Sequence, residues 1–308
     1  RSALAPEGRP RVGARPTALP DAPKVLPAPP VRPRPAPQRL SYSSLGAYGR
    51  CGYRFYLQRL LRLPAVQPPP RPDAEATPAL APTTRGSIVH ALLEELDFAH
   101  PAAPTADAVR AVAGQWDVEL SNDEVQDIRD LVTAFAASPL CARLAAARRT
   151  RREAPFAFGL EPGGGGPLVT GFLDAAAIEP DGGILIVDYK SDHLEADPAD
   201  VVERDYATQR VVYALAALRD GAPRAEVAYC FLERPAEPVT RAFTASDIPA
   251  LEEHVTGLAR GMIAGEYPVA DVPHRELCGD CPGRAALCSW GEEMTLREPA
   301  PANRNGSL

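Results

Sequence analysis

LVTGFLDAAAI (168–178), EPDGG (179–183) and ILIVDYK (184–190) decide how this chain reads. Two runs rich in β-forming residues flank a cluster of turn formers, which gives a strand, a five-residue loop and a buried strand. If Ile178 faces Ile184 across the loop, counting back places Asp174 opposite Asp188. Facing residues in an antiparallel pair point to one side of the sheet, and Lys190, two residues on, shares that side. A slip of one residue would send the carboxylates to opposite faces.

Two carboxylates beside the apolar ILIV run repel each other unless something positive joins them. A hard divalent cation such as Mg²⁺ or Mn²⁺ suits oxygen ligands and would do so. Such an ion polarises a phosphodiester and lowers the pKa of a water, while Lys190 could orient that water or meet developing negative charge. The plainer alternative for the same residues is a surface hairpin with a salt bridge.

Outward from the hairpin, EAPFAFGL (153–160) reads as a strand and GGGG (163–166) as a turn. Downstream come a helix at about 200–219, the strand AEVAYCFL (225–232) and a helix at about 246–264. Upstream, RGSIVHALLEELDF (85–98) carries Ile88, Val89, Leu92, Leu93 and Leu96 as one apolar stripe of a helix, with further helices at about 105–119 and 122–137. SYSSLGAYGRCGYRFYLQRLL (41–61) reads as a first helix capped by Ser41, followed by a proline-rich loop over 64–82. The fold class is α/β (α+β): a mixed β-sheet flanked by helices, with a helical insertion before it. Two helices could add to the carboxylates. His90 and Glu94 lie one turn apart on the first, and Gln209 and Tyr213 on the second. A buried core histidine is the plainer reading of His90.

The 308 residues include 35 prolines, concentrated at the start, and residues 1–39 read as a disordered linker. Residues 40–293 form the expected domain and 294–308 a disordered tail. A net charge of −7 argues against indiscriminate coating of nucleic acid, yet a local basic face would suffice for phosphate contact. Two such groups stand out: Arg148, Arg149, Arg151 and Arg152, and Arg50, Arg54, Arg59 and Arg62 interleaved with Tyr53 and Tyr56. Solvated helix faces would look the same. No apolar run spans a bilayer and no signal pattern is visible, so the expected location is cytoplasmic, with no membrane partner. Of six cysteines, Cys278, Cys281 and Cys288 cluster near the C-terminus with His274 nearby, which suggests structural zinc in a reducing compartment. Cys141 and Cys230 read as plain helix and strand residues.

Taken in order, LSYSSLGAYGRCGYRFYLQRLLRLP, RGSIVHALLEEL, VTGFLDAAAI, ILIVDYKSD, the Gln209/Tyr213 helix and the cysteine cluster resemble the PD-(D/E)XK nucleases of the RecB and AddB type. The resemblance covers roughly residues 40–290. It implies a restriction-endonuclease-like core with a C-terminal cysteine-rich clasp. It also implies that His90, Asp174, Asp188 and the Tyr189 carbonyl bind Mg²⁺ or Mn²⁺. Lys190 would be the catalytic lysine, supported by Gln209 and Tyr213. By the same resemblance, Cys51, Cys278, Cys281 and Cys288 would hold a [4Fe–4S] cluster, with Zn²⁺ as the alternative. The final C-x6-C spacing departs from the x5 expected of the family. The implied activity is a metal-dependent DNA nuclease, an exonuclease on single strands or DNA ends in repair or recombination. The proline-rich leader suggests a superfamily 1 helicase of the UvrD type in cis or in trans, and with no phosphate-loop motif here any helicase activity would lie outside this sequence. A catalytically idle DNA-binding or scaffolding module of a helicase complex is the rival.

Overall fold

Ile178 faces Ile184, and the pairing runs on through Ala177↔Leu185, Ala176↔Ile186 and Ala175↔Val187. This is the register that a five-residue loop demands. Gly182 takes φ 87° in that loop, a left-handed conformation that glycine adopts without strain. Arg224 pins it from below by pairing with both Glu179 and Asp181.

The structure is a computed structural model, and it describes residues 37–69, 80–160, 166–194 and 196–299. In chain order the elements are β1 (Arg39–Leu40), α1 (Tyr42–Arg50) and α2 (Gly52–Phe55), the last running into a π turn (Tyr56–Leu60). Then come α3 (Pro82–Glu95), α4 (Ala106–Ala113), α5 (Asn122–Ala136) and α6 (Pro139–Ala146). The hairpin strands are β2 (Arg149–Gly159), β3 (Leu168–Ile178) and β4 (Ile184–Lys190). A short α7 (Pro198–Val201) leads through a second π turn (Val202–Tyr206) into α8 (Ala207–Arg219). Last are β5 (Arg224–Phe231), β6 (Val239–Thr244), α9 (Ile248–Ala264), α10 (Arg275–Cys278) and α11 (Glu292–Thr295).

The strands form one mixed sheet in the order β1-β3-β4-β5-β6, with β2 on the other edge of β3. β4 and β5 are parallel, joined through α7 and α8 as a crossover connection requires. One edge of β3 is therefore shared. β1 occupies it at Leu168 and Val169, β4 at Ala175 to Ile178, and the stretch between is a fork. Each face of the sheet has its own apolar core. One gathers Ile186, Val227 and Tyr229 with Tyr213 and Leu215 of α8 and Val255 of α9. The other gathers Val187, Tyr189 and Cys230 with α3, α4, α5 and α6. The helical insertion is thus the cover of the second face.

Phe135 of α5 shows how the insertion supports the hairpin. It is fully buried, its ring lying 4.9 Å edge-on from Tyr189 and 6.3 Å from Phe98. Phe135→Ala should destabilise the fold by about 3–5 kcal/mol, read as a fall in Tm with the urea m-value unchanged.

Three expectations need correction. The first helix is interrupted, because Cys51 is extended (φ −163°) and Tyr53 N–H donates to Pro268 O, tying the chain to a distant segment. Order begins by Arg39, which pairs with Leu168, so the linker boundary at 39 moves back; residues 1–36 lie outside the described residues. The tail expected from 294 holds structure through 299: Thr295 is fully buried and Arg275 N–H donates to Arg297 O. Strand β6 was not foreseen, since only Phe243 among its residues is buried and its alternation is weak.

Candidate active site

At the fork β4 leaves β3 and continues beside β5 alone as far as Lys190↔Phe231. Tyr189 N–H thereby loses a strand partner, and the Asp174 carboxylate takes its place, accepting at 2.9 Å through Oδ2. Asp188, next on β4, is almost wholly buried. Its Oδ2 accepts from Gln209 Nε2 at 2.8 Å. Its Oδ1 is ion-paired with Lys190 Nζ at 2.5 Å, which offsets the cost of burying that charge.

α8 holds the other side. Gln209 Nε2 also lies 2.9 Å from Tyr213 Oη, and Gln209 Oε1 accepts from Lys190 Nζ at 3.2 Å. Tyr213 is buried edge-on against Tyr42 and Phe156, at 5.8 and 5.9 Å. Burial, then the charges of Asp188 and Asp174, push the Tyr213 hydroxyl well up; the same causes push Tyr42 up to about 12. Both phenols are therefore protonated and neutral rather than bases.

α3 approaches from the opposite face. His90 Nε2 lies 3.0 Å from Tyr189 O. A carbonyl only accepts, so Nε2 carries the proton. Nδ1, left with its lone pair, faces Asp174 Oδ2 at 3.5 Å. Burial pushes the His90 pKa down, although Asp188 pulls it up, so the neutral ring is favoured. Two acceptors thus face each other with a gap between them. Glu94, one turn on, is exposed; after burial, its charge is the next cause that pushes the Glu153 pKa up. The helix is set by Arg85, which is bidentate to Asp127 at 2.7 and 3.0 Å and donates to Ser191 O at 2.5 Å. Gly86 beside it is needed for clearance, since a Cβ there would meet Ser191 Oγ at 3.0 Å.

Glu153 completes the group, and the sequence pattern did not reveal it. His90, Glu153 and Asp174 each bring a ligand atom within 4.8 Å of the others, the only such trio among the described residues. Glu153 sits at φ 43°, where the facing of β2 and β3 switches: Ala154 and Leu173 point to one core, Ala175 to the other. The register Ala154↔Leu173 and Arg152↔Ala175 puts Glu153 opposite Asp174. One unused sequence signal is compositional. Of 33 lysines and arginines only Lys24 and Lys190 are lysines, so an ammonium at 190 stands out in a chain that otherwise uses guanidinium.

Burial first, then the charge of Asp188, push the Asp174 pKa well above the carboxylate range, against the pull of Tyr189 N–H and Lys190. The folded protein therefore holds this proton more tightly than the unfolded chain. Without a cation, stability should fall as pH rises from the ordinary carboxylate range through the raised folded value. Asp174→Asn should accordingly raise the Tm of the metal-free protein at pH 8, and abolish any further rise on adding Mn²⁺. Differential scanning calorimetry with and without Mn²⁺ checks both signs.

The cysteines lie elsewhere. Cys51, Cys278, Cys281 and Cys288 are free thiols lining one small pocket with Tyr53, Arg54 and Trp290. Cys51 Sγ accepts from Arg54 N–H at 3.4 Å, and Arg54 in turn reaches Leu277 O and, at 2.9 Å, Asp280. Burial pushes the Cys278 and Cys281 thiols up. Arg54 is thus committed to the clasp rather than free for phosphate. Arg152 is likewise spent on Leu96 O, lying also 4.3 Å over Phe98, and Arg148, though exposed, donates to Pro180 O. Tyr56 stacks on Tyr267 at 4.9 Å. Arg50, Arg59 and Arg62, and Arg149 and Arg151, remain exposed.

The sequence pattern of the PD-(D/E)XK nuclease superfamily matches residues 39–288, which include the fork, the acids on both of its strands and the lysine two residues on. The chain belongs to that superfamily. It is similar to an ATP-dependent helicase/nuclease protein of Anoxybacillus flavithermus, 31% identical over 46% of this chain and 12% of that protein. It is also similar to the ATP-dependent helicase/nuclease protein of the same description from Geobacillus kaustophilus, 29% identical over 53% of this chain and 14% of that one. The chain thus spans only a small part of the length of these relatives. A solved Eubacterium rectale protein, 13% identical, overlays 82% of this chain and 90% of its own with a TM-score of 0.47, too distant to carry an argument. Among the described residues no helix is long and apolar enough to cross a membrane.

Proposed function

We propose that this chain is a Mg²⁺- or Mn²⁺-dependent deoxyribonuclease that cuts single strands or DNA ends, the nuclease part of a RecB-type helicase–nuclease. The observation that carries this is the trio His90, Glu153 and Asp174, whose ligand atoms lie within 4.8 Å of one another, with an Asp174 that burial and like charge drive toward protonation. Asp174, Asp188 and His90 Nδ1 would hold the cation, with the Tyr189 carbonyl and Glu153 in reach. When bound, the ion would polarise the scissile phosphodiester and acidify a water. Lys190, held by Asp188 and Gln209, offers its ammonium protons to that water or to the charge that grows on the phosphoryl oxygens. Gln209 keeps Asp188 and Lys190 in register, and Tyr213 keeps Gln209. The helicase/nuclease relatives support a superfamily 1 helicase in cis or in trans, and DNA repair or recombination as the setting.

The four-cysteine pocket supports a [4Fe–4S] cluster over zinc. Thiolates on one zinc at about 2.3 Å would stand roughly 3.8 Å apart. No three of these sulfurs come within 4.8 Å of one another among the described residues. A cube of four irons spreads its thiolates wider. The nuclease domain would then be closed by this clasp, with the proline-rich leader as its linker.

The test is degradation of single-stranded and linear duplex DNA with and without Mg²⁺ or Mn²⁺. Wild type should cut only with metal, and Asp188→Ala should not cut. Equal behaviour of the two proteins would favour the idle DNA-binding module instead.

A further inference from the structure

Lys190 Nζ is enclosed on its open side by aromatic rings, 3.9 Å from the centroid of Tyr206 and 5.5 Å from that of Tyr229. The two rings stack on each other at 5.5 Å and 23°. A cation against aromatic faces in a part-dry setting is attracted by their quadrupoles without giving up any of its hydrogens. Lys190 thus has two kinds of neighbour: the carboxylate and amide described above, and a ring wall that leaves its protons free.

The wall is built, not incidental. Tyr206 closes the π turn Val202–Tyr206, and such single π turns within helices are frequent at functional sites. Arg210 of α8, nearly wholly buried, clamps that turn by two bonds to Glu203, at 2.7 and 2.8 Å. Tyr229 donates its hydroxyl to Tyr206 O at 3.1 Å, fixing the backbone of the same residue from β5. The Tyr206 hydroxyl donates to Asp192 Oδ2 at 3.2 Å, on the loop that follows Lys190. Three elements therefore converge on one ring position.

We infer that Tyr206 is a positioning residue for Lys190. Its ring, held by the π turn, fixes the ammonium against Asp188 and shields it from bulk water. The inference rests on the nuclease reading for its consequence in catalysis, but the cage itself does not. The ring, rather than the hydroxyl, carries the role.

Two measurements test this on the full chain. The first is labelling by an amine-acetylating ester with mass spectrometry, which reads few sites because Lys24 and Lys190 are the only lysines. Lys190 should label far more slowly in folded wild type than in unfolded protein. Tyr206→Leu and Tyr206→Met should speed it severalfold, and Tyr206→Phe should not. The second is Mn²⁺-dependent DNA cleavage, in which the Leu and Met variants should lose about 2- to 30-fold in kcat with KM unchanged, and Phe should restore most of it. Melting curves show that the variants compared are folded, and two ring-less variants guard against one failing. Wild-type labelling of Lys190 in the ring-less variants would overturn the proposal. So would a Tyr206→Phe variant as impaired as Tyr206→Leu, which would assign the effect to the Asp192 bond. If wild type cuts nothing, the nuclease reading fails, while the labelling contrast still decides the cage.

Discussion

Lys190→Arg is expected to lower kcat by about 10²–10³-fold, the usual loss when one donor aimed at a transition state is removed, while Mn²⁺ binding survives. The site is fitted to a point charge. Nζ lies 2.5 Å from Asp188 Oδ1 and 3.2 Å from Gln209 Oε1, with rings behind it. A guanidinium is planar and longer, so it must either push Gln209 aside or carry its charge past the point where a phosphoryl oxygen would sit. Steady-state cleavage with a parallel Mn²⁺ titration checks it. A kcat within threefold of wild type would show that any cation serves.

Cys281→Ser is expected to release the clasp, with a fall in Tm on the order of 10 °C and loss of visible thiolate-to-iron absorbance. Cys281 is buried beside Leu57 and Tyr53 of the first helical segment, through Gly283. Arg54 and the Tyr53 N–H to Pro268 O bond tie the same two regions, and the proposed cluster would add four sulfur ligands to them. Without it, the polar contacts and the packing of Leu277 would hold the segment, and the exposed polar contacts are weak. Limited proteolysis should then cut within that segment. A colourless wild type that carries one zinc per chain would contradict the iron–sulfur reading and keep the clasp.

The hairpin was legible because loop length fixes register: five residues between Ile178 and Ile184 set the antiparallel pairing, with ILIV alternating between the two cores. The same arithmetic put Asp174 level with Asp188. It could not foresee that β4 would leave β3 just there, which turns Asp174 toward Tyr189 N–H and His90 rather than straight across. Forking depends on β1 taking the vacated edge, and a two-residue strand leaves no sequence pattern. Glu153 escaped for a related reason: its level on β3 depends on a long loop whose register no turn type dictates. The arginine groups misled in part because spacing reports which residues share a face, not which carbonyl or carboxylate stands opposite. Arg54, Arg148 and Arg152 each found one within the fold. The break at Cys51 is likewise tertiary, set by Pro268 O.

The central claim is that the fork holds a divalent cation between Asp174 and Asp188. Calorimetric titration of Mn²⁺ into wild type, Asp174→Asn and Asp188→Asn measures it without reference to cutting. The account predicts saturable binding at the fork in wild type that both single variants lose, while their folded signal remains. Undiminished Mn²⁺ binding by Asp174→Asn and Asp188→Asn would contradict it.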